Sequence, residues 1–200
     1  MIRRSFLKAL ALASFAFAGG ASAQDVDDSN VLMLRIAGES SGVVEILMRP
    51  DIAPKHVEQI SALAREGAYN GVAFHRVIEG FMAQTGDVQY GKVEGYQAGS
   101  AGRGGSDRPD IQAEFSDLHF GPGVVGMARS NNPDSANSQF FIMFTDYASL
   151  DGNYTVFGRV IEGMDVVDAI KRGSSAANGA VAEAPDYIAT AWIKADGEPG

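Results

Sequence analysis

The feature that most constrains this chain is a pair of short strand-forming runs, FHRVI and FMAQT, that flank Glu79-Gly80. Runs of this kind around a glycine-containing dipeptide predict a tight β-hairpin. Side chains alternate between the two faces of a strand, so Arg76 is expected to share a face with Phe74 and Ile78. The second run divides in the same way, into Phe81 with Ala83 and Met82 with Gln84. The hairpin therefore places a large cation and polar groups among aromatic and thioether side chains.

Two later segments carry the same mixture of residue types. One is Met127-Ala128-Arg129-Ser130, followed after a polar loop by the run SQFFIM, and the other is LDGNYTVFG. Taken singly, Arg76 is typical of a solvent-facing strand residue, and Met82 and Phe141 are typical of core side chains. Together, FHRVIEGFMAQTGD, GMARS…SANSQFFI and LDGNYTVFGRV closely resemble the cyclophilin family of peptidyl-prolyl isomerases. The resemblance is collinear over residues 31–172.

The resemblance implies a mainly β fold, a closed antiparallel barrel of about eight strands capped by two α-helices, over residues 31–196. The residue pattern favours the same class, because many short strands with two separated helices indicate an antiparallel barrel plugged at its ends. Strands are predicted over seven further ranges: 31–37, 42–48, 111–115, 124–128, 138–144, 155–161 and 187–194.

One helix is predicted to start between Pro50 and Pro54 and to stop at Gly67, with Asp51 available as its cap and His56 on its surface. A second opens at Gly163-Met164. In the last strand, Ile188, Thr190, Trp192 and Lys194 are expected to share one face. The opposite face, with Tyr187, Ala189, Ala191 and Ile193, suits a barrel interior. Residues 88–110 predict a long glycine-rich surface loop beside the groove, and 174–184 a linker of small residues.

Carried over from the family, Arg76 is the expected catalytic residue. The expected substrate-binding residues are His75, Phe81, Met82, Gln84, Ala128, Arg129, Gln139, Phe141, Leu150 and Tyr154. Among them, Phe81, Met82, Phe141 and Leu150 would form the apolar pocket for the proline ring. The glutamines would position the substrate or Arg76, and His75, Ala128 and Arg129 would form the groove wall.

Two positions depart from the family pattern. Ser149 stands where many animal cyclophilins have tryptophan, and Tyr154 stands where they have histidine. Loss of the indole removes apolar contact and an N–H donor that matters in the family for cyclosporin binding. We therefore expect weak cyclosporin binding with isomerase activity largely kept, and a sub-micromolar inhibition constant would contradict this.

Residues 1–23 predict a cleavable export signal. Arg3, Arg4 and Lys8 precede a short apolar run, and Ala21-Ser22-Ala23 suits cleavage before Gln24. The paired arginines resemble a twin-arginine signal, while a general secretory signal is the alternative. Residues 24–30 predict a flexible acidic N-terminus, and the expected location is the periplasm.

The composition disfavours some classes of binding partner and of functional site. The chain has 16 basic and 25 acidic residues, and cleavage removes three of the basic ones, leaving a formal charge of −12. Such a charge disfavours nucleic acid. The absence of cysteine and the three scattered histidines argue against a metal site, and isomerisation requires no cofactor. The expected partners are proline-containing polypeptides, without stable membrane association after cleavage, and we expect a monomer. The alternative function is a proline-segment-binding chaperone or assembly module with incidental catalysis.

Overall fold

A computed structural model describes residues 26–200 of the chain, which contain nine strands and two α-helices. The strands are β1 (Val31–Ala37), β2 (Gly42–Met48), β3 (Val72–Ala73), β4 (Arg76–Ile78), β5 (Met82–Thr85), β6 (Val124–Met127), β7 (Phe140–Met143), β8 (Val156–Glu162) and β9 (Tyr187–Ile193). The helices are α1 (Pro54–Arg65) and α2 (Met164–Asp168). The predicted export signal, 1–23, lies outside the described residues. In the predicted flexible N-terminus, Asp28–Asn30 form a single 3₁₀ turn.

All nine strands belong to one antiparallel sheet in the order β3-β9-β1-β2-β8-β6-β7-β5-β4. The expected closed barrel of about eight strands is therefore matched only in part, because the order has two ends and no ladder joins β3 to β4 in residues 26–200. The free edge of β4 is instead occupied by a later segment. Val77 N–H donates to the Gly179 carbonyl at 2.8 Å, and Val181 N–H donates to the His75 carbonyl at 3.0 Å.

Each face of the central strands contributes to a different apolar cluster. The inner face of β5, β6 and β7 supplies Ala83, Val125 and Ile142 to the main core, which also takes buried side chains of α1. The outer face supplies Met82, Phe141 and Met143 to a second cluster with Phe120 and Leu150. The sheet thus separates a structural core from an outward apolar surface, and the candidate site lies on the outward surface.

The surroundings of α1 differ from the sequence prediction. Asp51 does not cap the helix, because it lies two residues before the N-cap Ala53 and pairs with Arg49. Glu114 performs that role, since its carboxylate accepts hydrogen bonds from the N–H groups of Lys55 and His56 at 3.3 and 3.2 Å.

His56 is fully buried rather than on the surface, with its Nδ1 2.6 Å from a Glu114 oxygen. Burial lowers the pKa of His56, although Glu114 opposes the shift. The predicted strand 111–115, from which Glu114 comes, reduces to a single bridge between Ile111 and Ala136. The segment 111–115 therefore contributes side-chain contacts, such as those of Glu114, and does not pair along its length with a neighbouring strand.

Predictions of strand faces were wrong in part for Ile188 in β9 and for Phe74 and Phe81 in the hairpin, while Ala191 and Ile193 lie in the interior as expected. Phe81 packs against the second cluster with Met82 instead of sharing the core face of Ala83. In β9, a register shift opposite Arg35/Ile36 turns Ile188 into the main core, together with Ala191 and Ile193. In the hairpin, β4 begins only at Arg76, so the alternation does not extend back to Phe74, whose side chain lies in the main core. The turn itself is confirmed: Gly80 has φ +67°, and Phe81 N–H donates to the Ile78 carbonyl at 3.0 Å.

The other predicted strands follow the expected order. The ranges 31–37 and 42–48 keep their bounds, 155–161 shifts by one residue to Val156–Glu162, and the remaining three strands are shorter than predicted. The second helix spans only five residues, so Ile170 lies beyond it. No helix in residues 26–200 combines the length and the apolar character that crossing a membrane requires.

Candidate active site

The candidate site is built on the outer face of the β4–β5 hairpin and its neighbour β7. Arg76 pairs with Gln84 across the hairpin, and Gln84 pairs with Phe141 on β7. Cross-strand neighbours on one face lie close together, so these three side chains form a row perpendicular to the strands. The row joins a cation, an amide and an aromatic ring.

Acceptors from two parts of the chain fix the guanidinium of Arg76. Its Nη1 donates to Gln84 Oε1 at 3.1 Å, its Nε to the Asn178 carbonyl at 3.0 Å, and its Nη2 to Asn178 Oδ1 at 3.2 Å. Three of the five N–H bonds of an arginine are thereby engaged, which leaves two for a ligand. Partial burial lowers the pKa of Arg76. The group stays charged, because a guanidinium is not deprotonated in proteins.

A chain of amides extends from Arg76 to the glycine-rich loop. Gln84 Nε2 donates to Gln139 Oε1 at 3.0 Å, and Gln139 Nε2 donates to the Gly104 carbonyl at 2.7 Å. Each amide oxygen accepts from one neighbour while its nitrogen donates to the next, so the orientation of both glutamines is set. The two glutamines therefore position Arg76 relative to the loop.

An apolar cavity of about 190 Å³ opens beside Arg76. It is lined by Arg76, Phe81, Met82, Gln84, Ala128, Arg129, Phe141, Leu150 and Tyr154. Phe141 forms its floor, with its ring stacked on Phe120 at 5.7 Å and edge-on to Tyr154 at 5.9 Å between centroids. The result is a mainly apolar cup whose lining also includes two cations, Arg76 and Arg129, and whose size suits a small ring.

Arg129 is the second cation in the wall of this cavity, and its guanidinium is stacked on Tyr154. Its guanidinium carbon lies 4.3 Å from the centroid of the Tyr154 ring. Its Nη1 and Nη2 donate to the carbonyls of Ser130 and Asn153 at 2.9 and 2.8 Å. The stacking and the two carbonyl bonds hold Arg129 and Tyr154 against each other, and the buried Nε of Arg129 has no hydrogen-bond partner among the described residues.

A larger cavity, of about 520 Å³ and lined mostly by polar residues and glycines, adjoins the apolar one and shares Gln84, Ala128 and Arg129 with it. The loop residues 102–106 form one wall. Asp87 holds this loop, because its carboxylate accepts hydrogen bonds from Gly102 N–H at 2.7 Å and Gly104 N–H at 3.0 Å. The predicted surface loop is therefore tied to the end of the hairpin.

The structure brings nine of the eleven predicted site residues together around the apolar cavity. Gln139 lines the adjoining polar cavity. His75 lies beneath both, only 4% exposed, and neither ring nitrogen has a hydrogen-bond partner among the described residues. Burial lowers the pKa of His75 to about 4.

Sequence reasoning missed two residues of this arrangement, Asn178 and Asp87. Asn178 lies in the segment predicted to be a linker, although its Asn-Gly dipeptide is a recognised signal for a left-handed turn. Asp87 ends the hairpin motif and was given no role. In residues 26–200, no three histidine, aspartate or glutamate side chains converge as metal ligands do.

Known proteins share the sequence pattern and the fold of this chain. The sequence model of the family described as "Cyclophilin type peptidyl-prolyl cis-trans isomerase/CLD" matches residues 33–191. A Brucella suis biovar 1 (strain 1330) protein named "Probable peptidyl-prolyl cis-trans isomerase" is 55% identical over 194 residues, covering 96% of this chain and 97% of the relative.

Two solved structures share the fold. The crystal structure of the cyclophilin AquaCyp293 from Hirschia baltica has a TM-score of 0.70 and 29% identity, over 87% of this chain and 77% of that chain. A Cryptosporidium parvum cyclophilin-type isomerase, crystallised in the presence of the dipeptide Ala-Pro, has a TM-score of 0.67 and 22% identity, over 82% of this chain and 98% of that chain. On the family match and the identity to the Brucella protein, the chain belongs to the cyclophilin-type peptidyl-prolyl cis-trans isomerases.

Proposed function

We propose that this peptidyl-prolyl isomerase rotates X–Pro bonds of exported polypeptides, with the proline ring in the 190 Å³ apolar cavity and Arg76 as the catalytic residue. The observation that carries the proposal is the position of the Arg76 guanidinium at the rim of that cavity, with two N–H bonds left for a ligand.

Catalysis of rotation about the X–Pro bond requires little beyond this arrangement. Rotation about a peptide bond faces a barrier of about 18–20 kcal/mol because twisting removes amide resonance. No covalent bond is made or broken, so a pocket, a dry environment and an aimed donor suffice. Arg76 binds the substrate carbonyl and supports the prolyl nitrogen as that nitrogen becomes pyramidal. The apolar walls Phe81, Met82, Phe141 and Leu150 exclude water from the twisting amide.

The test is cis–trans exchange of an Ala-Pro-Phe-type peptide by residues 24–200, with wild type beside Arg76→Ala. We expect wild type to accelerate exchange and Arg76→Ala to lose about 100-fold or more, as is usual for removal of an aimed donor. The matched control is Arg159→Ala, which removes an exposed strand arginine outside the site. Circular dichroism of each variant checks that the fold is intact.

The same pair of proteins separates catalysis from binding. Equal rescue of a proline-containing client by wild type and by Arg76→Ala, without accelerated exchange by either, favours the chaperone or assembly module. Loss of rescue together with loss of exchange favours the enzyme. Exchange that is unaffected by Arg76→Ala contradicts the catalytic role of Arg76.

We extend the proposal to the partners and ligands that the protein binds. Its partners are proline-containing polypeptides, and nucleic acid is disfavoured by the formal charge of −12 on residues 24–200. Weak cyclosporin binding is supported by Ser149, which is exposed next to the cavity residue Leu150 and offers neither ring surface nor an indole N–H.

Export to the periplasm is the second part of the proposal, and it rests on the signal-like residues 1–23. The test is a reporter fused to residues 1–30, with and without the paired changes Arg3→Lys and Arg4→Lys. We expect export that the paired changes abolish, as for a twin-arginine signal. Export that survives them assigns the general secretory route instead, and no export of the unchanged fusion contradicts the proposed location.

A further inference from the structure

The segment 173–181 is bound to the edge of β4 as closely as a strand. Gly173 N–H donates to the Val77 carbonyl at 2.9 Å, and Val77 N–H donates to the Gly179 carbonyl at 2.8 Å. Arg76 itself forms a bridge with Ala180. This small-residue segment is therefore held at a fixed position beside the catalytic arginine.

Within this segment Asn178 has a backbone conformation that few residues adopt. It ends the 3₁₀ helix Ser175–Ala177 with φ +53° and ψ +39°, in the left-handed region. Asparagine tolerates this region better than most residues with a Cβ. The conformation brings both oxygens of one residue to one edge of the guanidinium: the carbonyl accepts from Arg76 Nε, and Oδ1 accepts from Arg76 Nη2.

We propose that Asn178 is a positioning residue for Arg76, an inference that rests on the proposed role of that arginine. Asn178 occupies the Nε–Nη2 edge, while Gln84 takes one N–H of Nη1. A free arginine side chain has many rotamers, and its ordering costs conformational entropy. With both ends of the fork held, that cost is met before substrate binds, and two N–H bonds of a cavity-lining residue remain unengaged.

The competing explanation is that Asn178 only shapes the turn, and Asn178→Gly separates the two. Glycine adopts the left-handed conformation without strain and keeps the backbone carbonyl, so this change removes the Oδ1 acceptor alone. Asn178→Asp restores an acceptor oxygen at the same place. Ala177→Gly is the matched control, because it loosens the same exposed segment without removing an acceptor.

The measurements are peptide exchange kinetics and the NMR signals of the Arg76 guanidinium, whose N–H exchange and rotation about the Cζ–N bonds report its hydrogen bonds. For Asn178→Gly we expect a 3- to 10-fold lower kcat, little change in KM and faster guanidinium rotation, at an unchanged melting temperature. Asn178→Asp should slow the rotation again, and Ala177→Gly should leave the kinetics unchanged.

Double variants connect the effect to Arg76. In the Arg76→Ala background, Asn178→Gly should cause no further loss of exchange activity. A kcat within twofold of wild type for Asn178→Gly, an unchanged guanidinium signal, or a full additional loss in the Arg76→Ala background would each overturn the proposal. Because the guanidinium signal is independent of activity, failure of positioning can be told apart from failure of Arg76 as the catalytic residue.

Discussion

At the scale of single residues, the site combines a partly buried functional cation with buried groups that hold its surroundings. Arg76 is partly buried, and burial lowers its pKa because water is removed from the charge. The same desolvation strengthens its interaction with a substrate carbonyl. The preceding residue, His75, is buried and neutral, and neither of its ring nitrogens has a hydrogen-bond partner among the described residues.

His75 should make stability depend on pH in the acidic range. Its pKa falls from an ordinary value near 6.5 to about 4 in the folded protein, chiefly through burial. Between these values the unfolded chain binds a proton that the folded chain does not, so stability decreases as pH falls. The full shift corresponds to about 3 kcal/mol.

The measurement is urea unfolding of wild type and His75→Gln from neutral pH to pH 4. The stability of wild type relative to the variant should fall by up to about 3 kcal/mol over this range. His119→Gln is the control of opposite sign, because Asp151 and Asp146 raise the pKa of His119, and its contribution is present at low pH and lost as pH rises through that pKa. Parallel pH profiles for wild type and His75→Gln would contradict the assignment.

At the scale of elements, the pairing of β6 with β7 shapes the floor of the apolar cavity. Gly126 lies directly across from Phe141. A Cβ at this glycine would lie 2.6 Å from Phe141 Cζ and 2.6 Å from Phe120 Cε1. The two rings can pack over β6 only because this position has no side chain.

We therefore expect Gly126→Ala to displace Phe141 and to affect binding and stability together. Overpacking of this kind costs about 1–3 kcal/mol of stability, and the shifted ring should raise KM for the proline peptide. Urea unfolding and exchange kinetics measure the two effects. Gly99→Ala is the matched control, since a Cβ there meets nothing within 4 Å. Wild-type KM in a stable Gly126→Ala variant would show that Phe141 does not define the cavity.

At the scale of the whole molecule, the edge strands of the sheet and the net charge determine whether two copies of the chain associate. One edge strand, β4, is covered by residues 173–181, and the other, β3, has only two residues. A short or covered edge offers little backbone for pairing with another sheet. Residues 24–200 also carry a formal charge of −12, which makes copies repel each other.

These two features predict that residues 24–200 remain a monomer. Light scattering over a range of concentrations should give the mass of one chain at low salt. The same mass is expected at high salt, because screening removes the repulsion but leaves the edges protected. A dimer at high salt alone would show that charge, and not the covered edge, keeps the copies apart.

Much of the fold and of the apolar cavity follows from local patterns. The turn at Gly80, the strands Val31–Ala37 and Gly42–Met48 and the alternation of Met82 with Ala83 in β5 are set by residues adjacent in sequence, and they agree with the structure. The cavity residues come from a few such segments at family spacing. For these features, neighbouring residues carry enough information.

Other features depend on contacts between distant residues, and there the sequence by itself was insufficient. Four features arise where two segments pack together. They are the capping of α1 by Glu114 instead of Asp51, the burial of His56, the register shift in β9 and the hydrogen bonds from Arg76 to Asn178. The bond from Arg76 to the Asn178 carbonyl spans 102 residues. The sequence thus determined the family, most strands and nearly all of the cavity, because these follow from local pattern and motif spacing. The tertiary structure alone decided which polar groups are buried and what holds the arginine, because those depend on which distant surfaces meet.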